Sequence, residues 1–250
     1  MEFERGTLSR VVDEVHRIDQ GWVVRASAFP DVWVFNNIRI DSEVSYAQAV
    51  ELCRSHLPGV SYDQLLIEDH RIAERLAEDL RADGWRIDVD VHSVLRREPD
   101  RCAATDGVVE AEEEEALDLM ERWLREDESL HLNEAGLRQL RMGNRLSWRA
   151  RNARRLGIRD PAGRLVAVTI LYSDGRVAQV EDVYAIPEAR GRGYGRALVT
   201  RAIELAREGG HELTFIVADD NDWPKQLYRK LGFEPVGQSW LAHRDRPNTG

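Results

Sequence analysis

The sequence predicts an α/β protein with a mixed sheet, in which a smaller N-terminal α/β half precedes a larger C-terminal domain. Three observations indicate this class. Apolar segments with strand periodicity alternate with amphipathic helices, a glycine-rich turn joins one strand directly to one helix, and a polar stretch without periodicity separates the halves. We therefore expect domains at 1–100 and 111–250, joined by a linker at 101–110.

Composition restricts the class of protein further. Hydrophobic residues make up 42% of the chain and charged residues 32%, as in globular proteins, and the net charge is −10. An acidic chain disfavours nucleic acid as a partner, and no apolar run has the length of a membrane helix. The charged N-terminus differs from a secretory signal, so we expect a cytoplasmic protein. Cys53 and Cys102 have neither metal-ligand nor disulfide spacing, and no metal is expected.

The N-terminal half is predicted to begin with an amphipathic helix over residues 8–18, because apolar residues recur there at helical spacing and Gly21 follows as a stop. Ser45 and Gln48 have the spacing of a capping box, which indicates the start of a second helix. The remaining predicted elements are strands at 22–27, 32–40 and 65–68, a helix over 69–81 that stops at Gly84, and a long strand at 85–91.

The C-terminal half is predicted to start with a helix behind the acidic run 112–115 and a second helix over 133–146. Seven arginines between 138 and 155 indicate either a solvated helix face or a contact with the adenosine 3′-phosphate of a coenzyme. The later predicted elements are strands at 154–159, 165–173 and 177–186, a helix that ends at Gly209, a strand at 213–218, a helix capped by Asp222, one or two strands at 233–242, and a frayed end at 245–250.

The glycine-rich turn has the sequence Arg190-Gly191-Arg192-Gly193-Tyr194-Gly195-Arg196 and stands between the strand 177–186 and a helix. Glycines let the backbone bend with its N–H groups facing inward, and the following helix adds its unpaired first-turn donors and the positive end of its dipole. The arginines add positive charge at the same place. A glycine-rich turn can also simply cap a helix, but this combination predicts a pyrophosphate cradle.

The turn and its flanks resemble the GNAT superfamily of acetyl-CoA-dependent N-acetyltransferases. The flanking segments are Asp182-Val183-Tyr184-Ala185-Ile186-Pro187-Glu188 before the turn and Leu227-Tyr228-Arg229-Lys230-Leu231-Gly232-Phe233 after it. The pyrophosphate loop of this family has the form Arg/Gln-x-x-Gly-x-Gly/Ala, which Arg190, Gly193 and Gly195 match. The resemblance covers roughly the last 140 residues and implies a GNAT-like fold with acetyl-CoA as acyl donor.

The resemblance also implies a set of site residues. Tyr228 matches the general acid that protonates the leaving thiolate, and the backbone of the strand supplies an N–H to the developing oxyanion. Pro224 replaces the small residue that usually lies between Asn221 and the tyrosine. The cofactor-binding residues implied are Val183, Tyr184, Ala185, Arg190, Gly191, Arg192, Gly193, Tyr194, Gly195, Arg196 and Asn221.

Amide formation from a thioester also needs a base, because an alkyl ammonium with a pKa near 10.4 is almost wholly protonated at pH 7. Glu181 and Asp182 are the candidates, and strand alternation allows only one of them to face the cleft. We favour Glu181. Both carboxylates could instead solvate the strand end or pair with arginines.

The function predicted on these grounds is transfer of an acetyl group to a primary amine, on a small molecule or a peptide, by direct attack in a ternary complex. The alternative is a non-catalytic acyl-CoA-binding module with a regulatory or interaction role. Residues 65–85 overlay residues 213–233 without gaps, so the N-terminal half is either a degenerate GNAT-like repeat or a convergent unit. Such a half can serve as a dimerisation surface, which makes a homodimer one of the expectations.

Overall fold

The computed structural model describes residues 2–101, 103–127, 132–221 and 223–246. The chain divides into two compact units. Unit 1 comprises Met1–His92, Ala218–Asn221 and Gly237–Gly250, and unit 2 comprises Ser93–Val217 and Asp222–Val236. Among the described helices, none is both long and apolar enough to cross a membrane.

Seven helices and eleven strands are described. The helices are α1 (Glu2–Leu8), α2 (Tyr46–His56), α3 (His70–Ala82), α4 (Glu113–Glu126), α5 (Glu134–Ala150), α6 (Tyr194–Glu208) and α7 (Pro224–Lys230). The strands are β1 (Glu14–Ile18), β2 (Gly21–Arg25), β3 (Asn37–Ile40), β4 (Tyr62–Ile67), β5 (Arg86–Leu95), β6 (Val108–Glu110), β7 (Arg154–Arg159), β8 (Leu165–Ser173), β9 (Val177–Ala185), β10 (Leu213–Asp219) and β11 (Phe233–Asp245).

In unit 1, β1, β2 and β3 form an antiparallel meander, β3 runs parallel to β4, and β4 pairs antiparallel with Trp240–Asp245 of β11. Apolar residues of β3 and β4, among them Ile38 and Leu65, are fully buried in one core with Cys53 of α2 and Leu80 of α3. The predicted starts of the second and third helices of this unit are confirmed. Ser45 and Gln48 form both hydrogen bonds of the capping box, and the Asp69 side chain caps α3.

The predicted helix over residues 8–18 is wrong. Helix α1 ends at Leu8, and residues 14–18 form β1, which pairs with β2 from Glu14↔Arg25 to Ile18↔Gly21. Val15 and Ile18 are β-branched and lose side-chain freedom in a helix, whereas a neighbouring strand accommodates them. Gly21 is the first residue of β2. It must be glycine there, because a Cβ would overlap the carbonyl oxygen of Arg39 on the neighbouring strand β3.

The strand predicted at 32–40 is half as long as expected. Trp33–Phe35 form a short 3-10 helix, and only Asn37–Ile40 join the sheet. Asn36 causes this break, since its buried side chain accepts a hydrogen bond from Ala26 N and donates to Phe29 O and Val32 O. A side chain that satisfies backbone groups in this way stabilises a turn in place of a strand.

The C-terminal end is ordered further than the sequence predicts. Asp245 is the last residue of β11, and the Arg246 guanidinium donates to the carbonyl oxygens of Cys53, Leu57 and Val60 and to Asp63. These contacts explain why fraying does not begin at residue 245. Residues 247–250 and the predicted cap residue Asp222 lie outside the described part of the chain.

In unit 2 the strands are ordered β10-β9-β8-β7-β6, with β9 parallel to β10 and the other neighbours antiparallel. The predicted meander 154–186 is therefore confirmed. Helix α6 buries Leu198, Val199, Ala202 and Ile203 against the sheet, as its apolar spacing predicts. Two segments of the chain share one order of elements: β1-β2-β3-α2-β4-α3-β5 in residues 14–95 corresponds to β7-β8-β9-α6-β10-α7-β11 in residues 154–245.

The predicted linker contains structure that its composition does not indicate. Val108–Glu110 form β6, which pairs antiparallel with β7 from Val108↔Ile158 to Glu110↔Leu156. A strand of three residues is too short to show periodicity in the sequence. The division into domains at 1–100 and 111–250 stays a prediction.

Candidate active site

Strands β9 and β10 stop pairing before they end. Their parallel register runs from Leu213↔Val177 to Ile216↔Val180, whereas β9 continues to Ala185. In the described part of the chain, the backbone groups of residues 181–185 on the β10 side of β9 therefore form no pairs with β10. Unpaired strand groups can bind the amide groups of an extended ligand, as in strand addition. In unit 1, by contrast, β3 and β4 pair up to Ile40↔Ile67, the last residue of each strand.

A β-bulge lies in the part of β9 that has left the β10 ladder. The pairs Val168↔Tyr184 and Ile170↔Glu181 leave Thr169 opposite two residues of β9, of which Asp182 has a left-handed backbone conformation with φ 55°. A bulge bends its strand and turns side chains away from strict alternation. The assumption that Glu181 and Asp182 face opposite sides through simple alternation therefore does not apply here.

Asp182 is partly buried and lies in a charged environment. Burial raises the pKa of its carboxyl group to about 6, and the positive charge of Arg151 acts in the opposite direction. The Arg151 guanidinium lies 4.8 Å from the centre of the Tyr172 ring, and its Nε atom is buried without a hydrogen-bond partner among the described residues. Burial, reinforced by the charge of Asp182, raises the pKa of Tyr172. Asp182 is thus a carboxylate whose pKa lies above its ordinary value.

The other candidate base, Glu181, has a different environment. Its Oε1 atom accepts a hydrogen bond of 3.0 Å from the Gln179 amide, on the same strand. Its backbone carbonyl oxygen accepts a bond of 2.8 Å from the Thr169 hydroxyl. Which of the two carboxylates acts as base stays a prediction, but the two groups are clearly not equivalent.

The glycine-rich turn has the geometry of an open cradle. Gly191 and Gly193 have φ of 76° and 82°, which favour glycine, and a Cβ at either position would meet no atom within 4 Å. Gly193 is the N-cap of α6. The Arg196 Nη1 atom is buried and has no hydrogen-bond partner in the described part of the chain. Open space, helix donors and an unpaired guanidinium nitrogen fit a pyrophosphate group.

The side chain of Arg190, the first residue of the turn, contacts both β9 and α4. Its Nε donates to Ala185 O at 3.0 Å, and its Nη2 lies 3.6 Å from Glu126 Oε2 at the end of α4. The Tyr184 hydroxyl donates to the same Glu126 oxygen at 2.8 Å. Burial and this carboxylate raise the pKa of Tyr184 to about 12. The Tyr184 side chain is thus engaged with α4, which leaves its backbone as the part available to a cofactor.

The two residues carried over from the tyrosine motif lie in different compact units. Tyr228 is buried on α7, where its ring meets the Phe233 ring edge-on at 6.4 Å between centroids. Asn221 is exposed in the turn after β10, where its backbone N–H donates to Asp219 Oδ1 at 2.6 Å. Tyr228 is assigned to unit 2 and Asn221 to unit 1. Their joint role stays a prediction.

The basic segment 138–155 is largely neutralised by α4. Arg141 pairs with Glu114, Asp118 and Glu121 at 2.8, 2.8 and 3.3 Å, and Arg145 pairs with Glu113 at 3.0 Å. The basic face of α5 is therefore explained by its ion pairs with the acidic face of the neighbouring helix α4. Arg151 follows α5 and differs from the others, because it lies over Tyr172 near Asp182.

Sequence reasoning missed Tyr172, Thr169 and Glu126, and it treated Arg151 only as one of the seven arginines between 138 and 155. None stands at a motif spacing from the loop, and their proximity to it depends on strand register and on the bulge. In the described residues, no group of three or more His, Cys, Asp and Glu side chains could hold a metal ion.

The mixed sheet, the parallel pair that stops short and the glycine turn at a helix N-terminus define an α/β protein with an open turn beside a partly unpaired strand. The model of the Acetyltransferase (GNAT) family matches residues 109–233, half of the chain. The chain therefore belongs to the GNAT family.

One relative and two solved structures illustrate the similarity. An uncharacterized N-acetyltransferase of Methanocaldococcus jannaschii is 37% identical over 68 residues, which are 26% of this chain and 30% of that protein. A conserved protein of unknown function from Staphylococcus epidermidis has a TM-score of 0.74 at 12% identity and covers 95% of this chain and 96% of its own. A tandem GNAT protein of the clavulanic acid biosynthesis pathway has a TM-score of 0.55 at 17% identity, over 86% of this chain and 76% of its own.

At these identities the solved structures show a shared fold. The chain spans less than a third of the M. jannaschii relative.

Proposed function

We propose that this protein transfers an acetyl group from acetyl-CoA to a primary amine, on a small molecule or a peptide, by direct attack in a ternary complex. The observation that carries the proposal is the end of β9, where the β10 ladder stops at Val180 and the bulge at Asp182 lies about eight residues before Arg190, the start of the glycine turn. A ligand laid along 183–185 would have its pyrophosphate at the turn and its reactive end near the carboxylate. The M. jannaschii relative, named an N-acetyltransferase, supports the same reaction class.

The cofactor would be held by residues of β9 and of the turn. Backbone groups of 183–185 would pair with the pantetheine arm, and the N–H groups around Gly191 and Gly193 would bind the pyrophosphate, with Arg196 Nη1 as an additional donor. Acetyl-CoA supplies an activated thioester. A backbone N–H of the strand would stabilise negative charge on the carbonyl oxygen.

Asp182 would remove a proton from the attacking ammonium group. A base with a pKa of about 6 is ionised at pH 7 and still basic enough to assist this transfer. The amine nitrogen then forms the new C–N bond, the C–S bond breaks, and Tyr228 would donate a proton to the departing thiolate. Phenol in a buried tyrosine can serve as this acid, whereas a phenylalanine in the same place could only pack.

A covalent acyl-cysteine route has little support. Cys53 is fully buried in the core of unit 1, and burial raises the pKa of its thiol to about 12. A protonated, inaccessible thiol is not a nucleophile. Cys102 lies outside the described residues.

The competing proposal is a non-catalytic protein that binds acyl-CoA through the turn. The experiment is turnover of acetyl-CoA by the full chain with a panel of primary amines, measured as released thiol. Acetylated amine, formed by the wild type and reduced strongly in Asp182→Asn, would support the enzyme. Acetyl-CoA binding without product from any amine class would favour the binding module.

A further inference from the structure

Arg151 lacks an ion pair, whereas the arginines on either side of it have one. Arg149 pairs with Glu113 at 3.2 Å, and Arg154 pairs with Glu110 at 2.9 Å. The Arg151 guanidinium forms no hydrogen bond or ion pair with another residue in the described part of the chain, although its Nε atom is buried. A buried donor without an acceptor destabilises a fold, so such an atom needs an explanation. A ligand that brings an acceptor oxygen would provide one.

The position of Arg151 is fixed by contacts that leave its side-chain donors unused. Arg151 is the C-cap of α5, where its backbone N–H donates to Ser147 O at 3.0 Å, and its carbonyl oxygen accepts a bond of 2.8 Å from Ser173 N at the end of β8. The guanidinium then lies over the Tyr172 ring, 4.8 Å from its centre. The ring attracts the charge without accepting a conventional hydrogen bond, so the N–H groups stay available to a ligand.

Arg151 lies close to the proposed base but does not contact it. On β8, Tyr172 stands two residues after the position that pairs with Glu181. At about 3.4 Å a residue, the bulge around Asp182 is therefore roughly 7 Å from Tyr172 along the sheet. The charge of Arg151 acts on the Asp182 carboxyl group, while these two described side chains form no ion pair. Both are partly exposed, so the site offers one negative and one positive group with a gap between them.

We propose that the acetyl acceptor is an amino acid, a small molecule with a carboxylate beside its primary amine, and that Arg151 binds this carboxylate. This assignment, which rests on the acetyl transfer proposed above, names the class of acceptor. The ammonium group faces Asp182 and the carboxylate faces the guanidinium, so a zwitterion complements both charges. A planar guanidinium binds a carboxylate through two parallel N–H···O bonds. A simple alkylamine would leave these donors without a partner.

A carboxylate suits this site better than a phosphate dianion does. Arg151 provides one positive charge, and both Glu181 and Asp182 place negative charge near the Tyr172 ring. One guanidinium can offset a single negative charge on the acceptor. A second negative charge would be repelled by the neighbouring carboxylates without a cation to compensate it.

The test compares free amino acids with their carboxamides as acceptors for the full chain, with released thiol as the measure. Each pair has the same side chain and a primary amine, but only the free acid carries the negative charge. We expect the wild type to prefer the free acid. Arg151→Gln should lower the ratio of kcat/KM for acid over carboxamide by about 10-fold or more, as for the loss of a charge-assisted contact.

This ratio separates binding of the carboxylate from an effect on the base. Removal of Arg151 takes positive charge away from Asp182 and changes the rate with every amine, but that change cancels between the two acceptors of a pair. The difference in amine basicity within a pair cancels between wild type and variant. The matched control is Arg154→Gln, which removes an exposed arginine paired with Glu110 and should keep the wild-type ratio.

Arg151→Lys provides a second variant that keeps a charge near the Tyr172 ring, so it serves as the test where Arg151→Gln does not fold. Lysine lacks the planar fork, and the ratio should therefore fall by a smaller factor than in the glutamine variant. An unchanged ratio in a folded variant, judged by its melting temperature, would overturn the assignment, because Arg151 would then act on all amines alike through Asp182.

Two further results would also overturn it, and they differ in what they leave standing. Preferred turnover of amines without a carboxylate would exclude amino acids as the acceptor class while the acetyl transfer itself is kept. No acetylated product from any free acid, carboxamide or alkylamine would refute the acetyl transfer, and the acceptor class would be refuted with it.

Discussion

The Thr169 hydroxyl donates a hydrogen bond of 2.8 Å to the backbone carbonyl oxygen of Glu181, at the point where β8 meets two residues of β9. Asp182 lies in this bulge with a left-handed backbone, and its partly buried carboxyl group interacts with the positive charge of Arg151. Non-glycine residues in this conformation recur at functional sites, where the surrounding structure maintains them. The bulge therefore links the local strand geometry to the proposed base.

Asp182→Asn should lower kcat by roughly 10²- to 10⁴-fold, the usual contribution of one acid–base group. Asparagine tolerates the left-handed conformation, so the backbone should be kept. Glu181→Gln is the matched control and should keep most of the activity. The measurement is kcat of both variants with an amine that turns over. A larger loss in Glu181→Gln would assign the base to Glu181.

The rate should depend on pH through the same carboxyl group. Asp182 must be ionised to accept a proton, and burial raises its pKa to about 6. We therefore expect kcat to rise with pH up to about 6 and then to level off until another group titrates. This acidic limb should be absent from the residual activity of Asp182→Asn. A wild-type profile that is flat between pH 5 and 7 would be inconsistent with this role.

The free energy of unfolding should depend on the ionisation of Asp182 in the opposite direction to the rate. The ionised carboxylate serves catalysis but lowers the stability of the fold. Because the folded-state pKa lies above the ordinary value of 3.8, the folded protein holds the proton more tightly than the unfolded chain does. The free energy of unfolding should decrease as pH rises through this window and stay lower above about 6. Asp182→Asn should therefore melt at or above the wild-type temperature at pH 7. A clearly lower melting temperature would show that the ionised carboxylate stabilises the fold.

Much of the fold follows from the sequence, because caps, turns and apolar spacing are local. Ser45 with Gln48, and Gly191 with Gly193, are where their patterns predict. The apolar spacing of residues 8–18 suits a helix, yet pairing with β2 determines the outcome. Arg151 contacts Tyr172, although the two residues lie 21 positions apart in the sequence. This contact depends on the register of the sheet, which no local sequence pattern encodes. The geometry of the glycine-rich turn was therefore predictable, while the environment of Asp182 was not.

Gly193→Val should abolish acetyl-CoA binding, because the side chain would fill the cradle. The control is Gly163→Val in the turn between β7 and β8, where φ is also 82° and the space is equally open. Both variants should lose about 1–3 kcal/mol of stability from backbone strain. Only the first should lose cofactor affinity, measured by calorimetry. Equal affinity in the two variants would mean that Gly193 serves only to cap α6.

Tyr228→Phe should lower kcat by roughly 10²- to 10⁴-fold while the affinity for acetyl-CoA is kept. The ring would still pack against Phe233, so folding should be preserved and only the proton donor lost. Rates and calorimetric affinities of wild type and variant would be compared. Full activity would leave Tyr228 as a packing residue, and weaker cofactor binding with normal kcat would identify it as a pantetheine contact.

The full chain should bind one acetyl-CoA, although residues 14–95 and 154–245 share an order of elements. In unit 2 the β9–β10 ladder stops at Val180, whereas in unit 1 the β3–β4 ladder reaches Ile40, and Glu68 N adds a further bond to Ile40 O at 3.1 Å. A fully paired strand offers no free backbone groups to a pantetheine arm. Calorimetry should give a stoichiometry near one, reduced to zero in Gly193→Val. A second equivalent that persists in this variant would show that unit 1 binds the cofactor by other contacts.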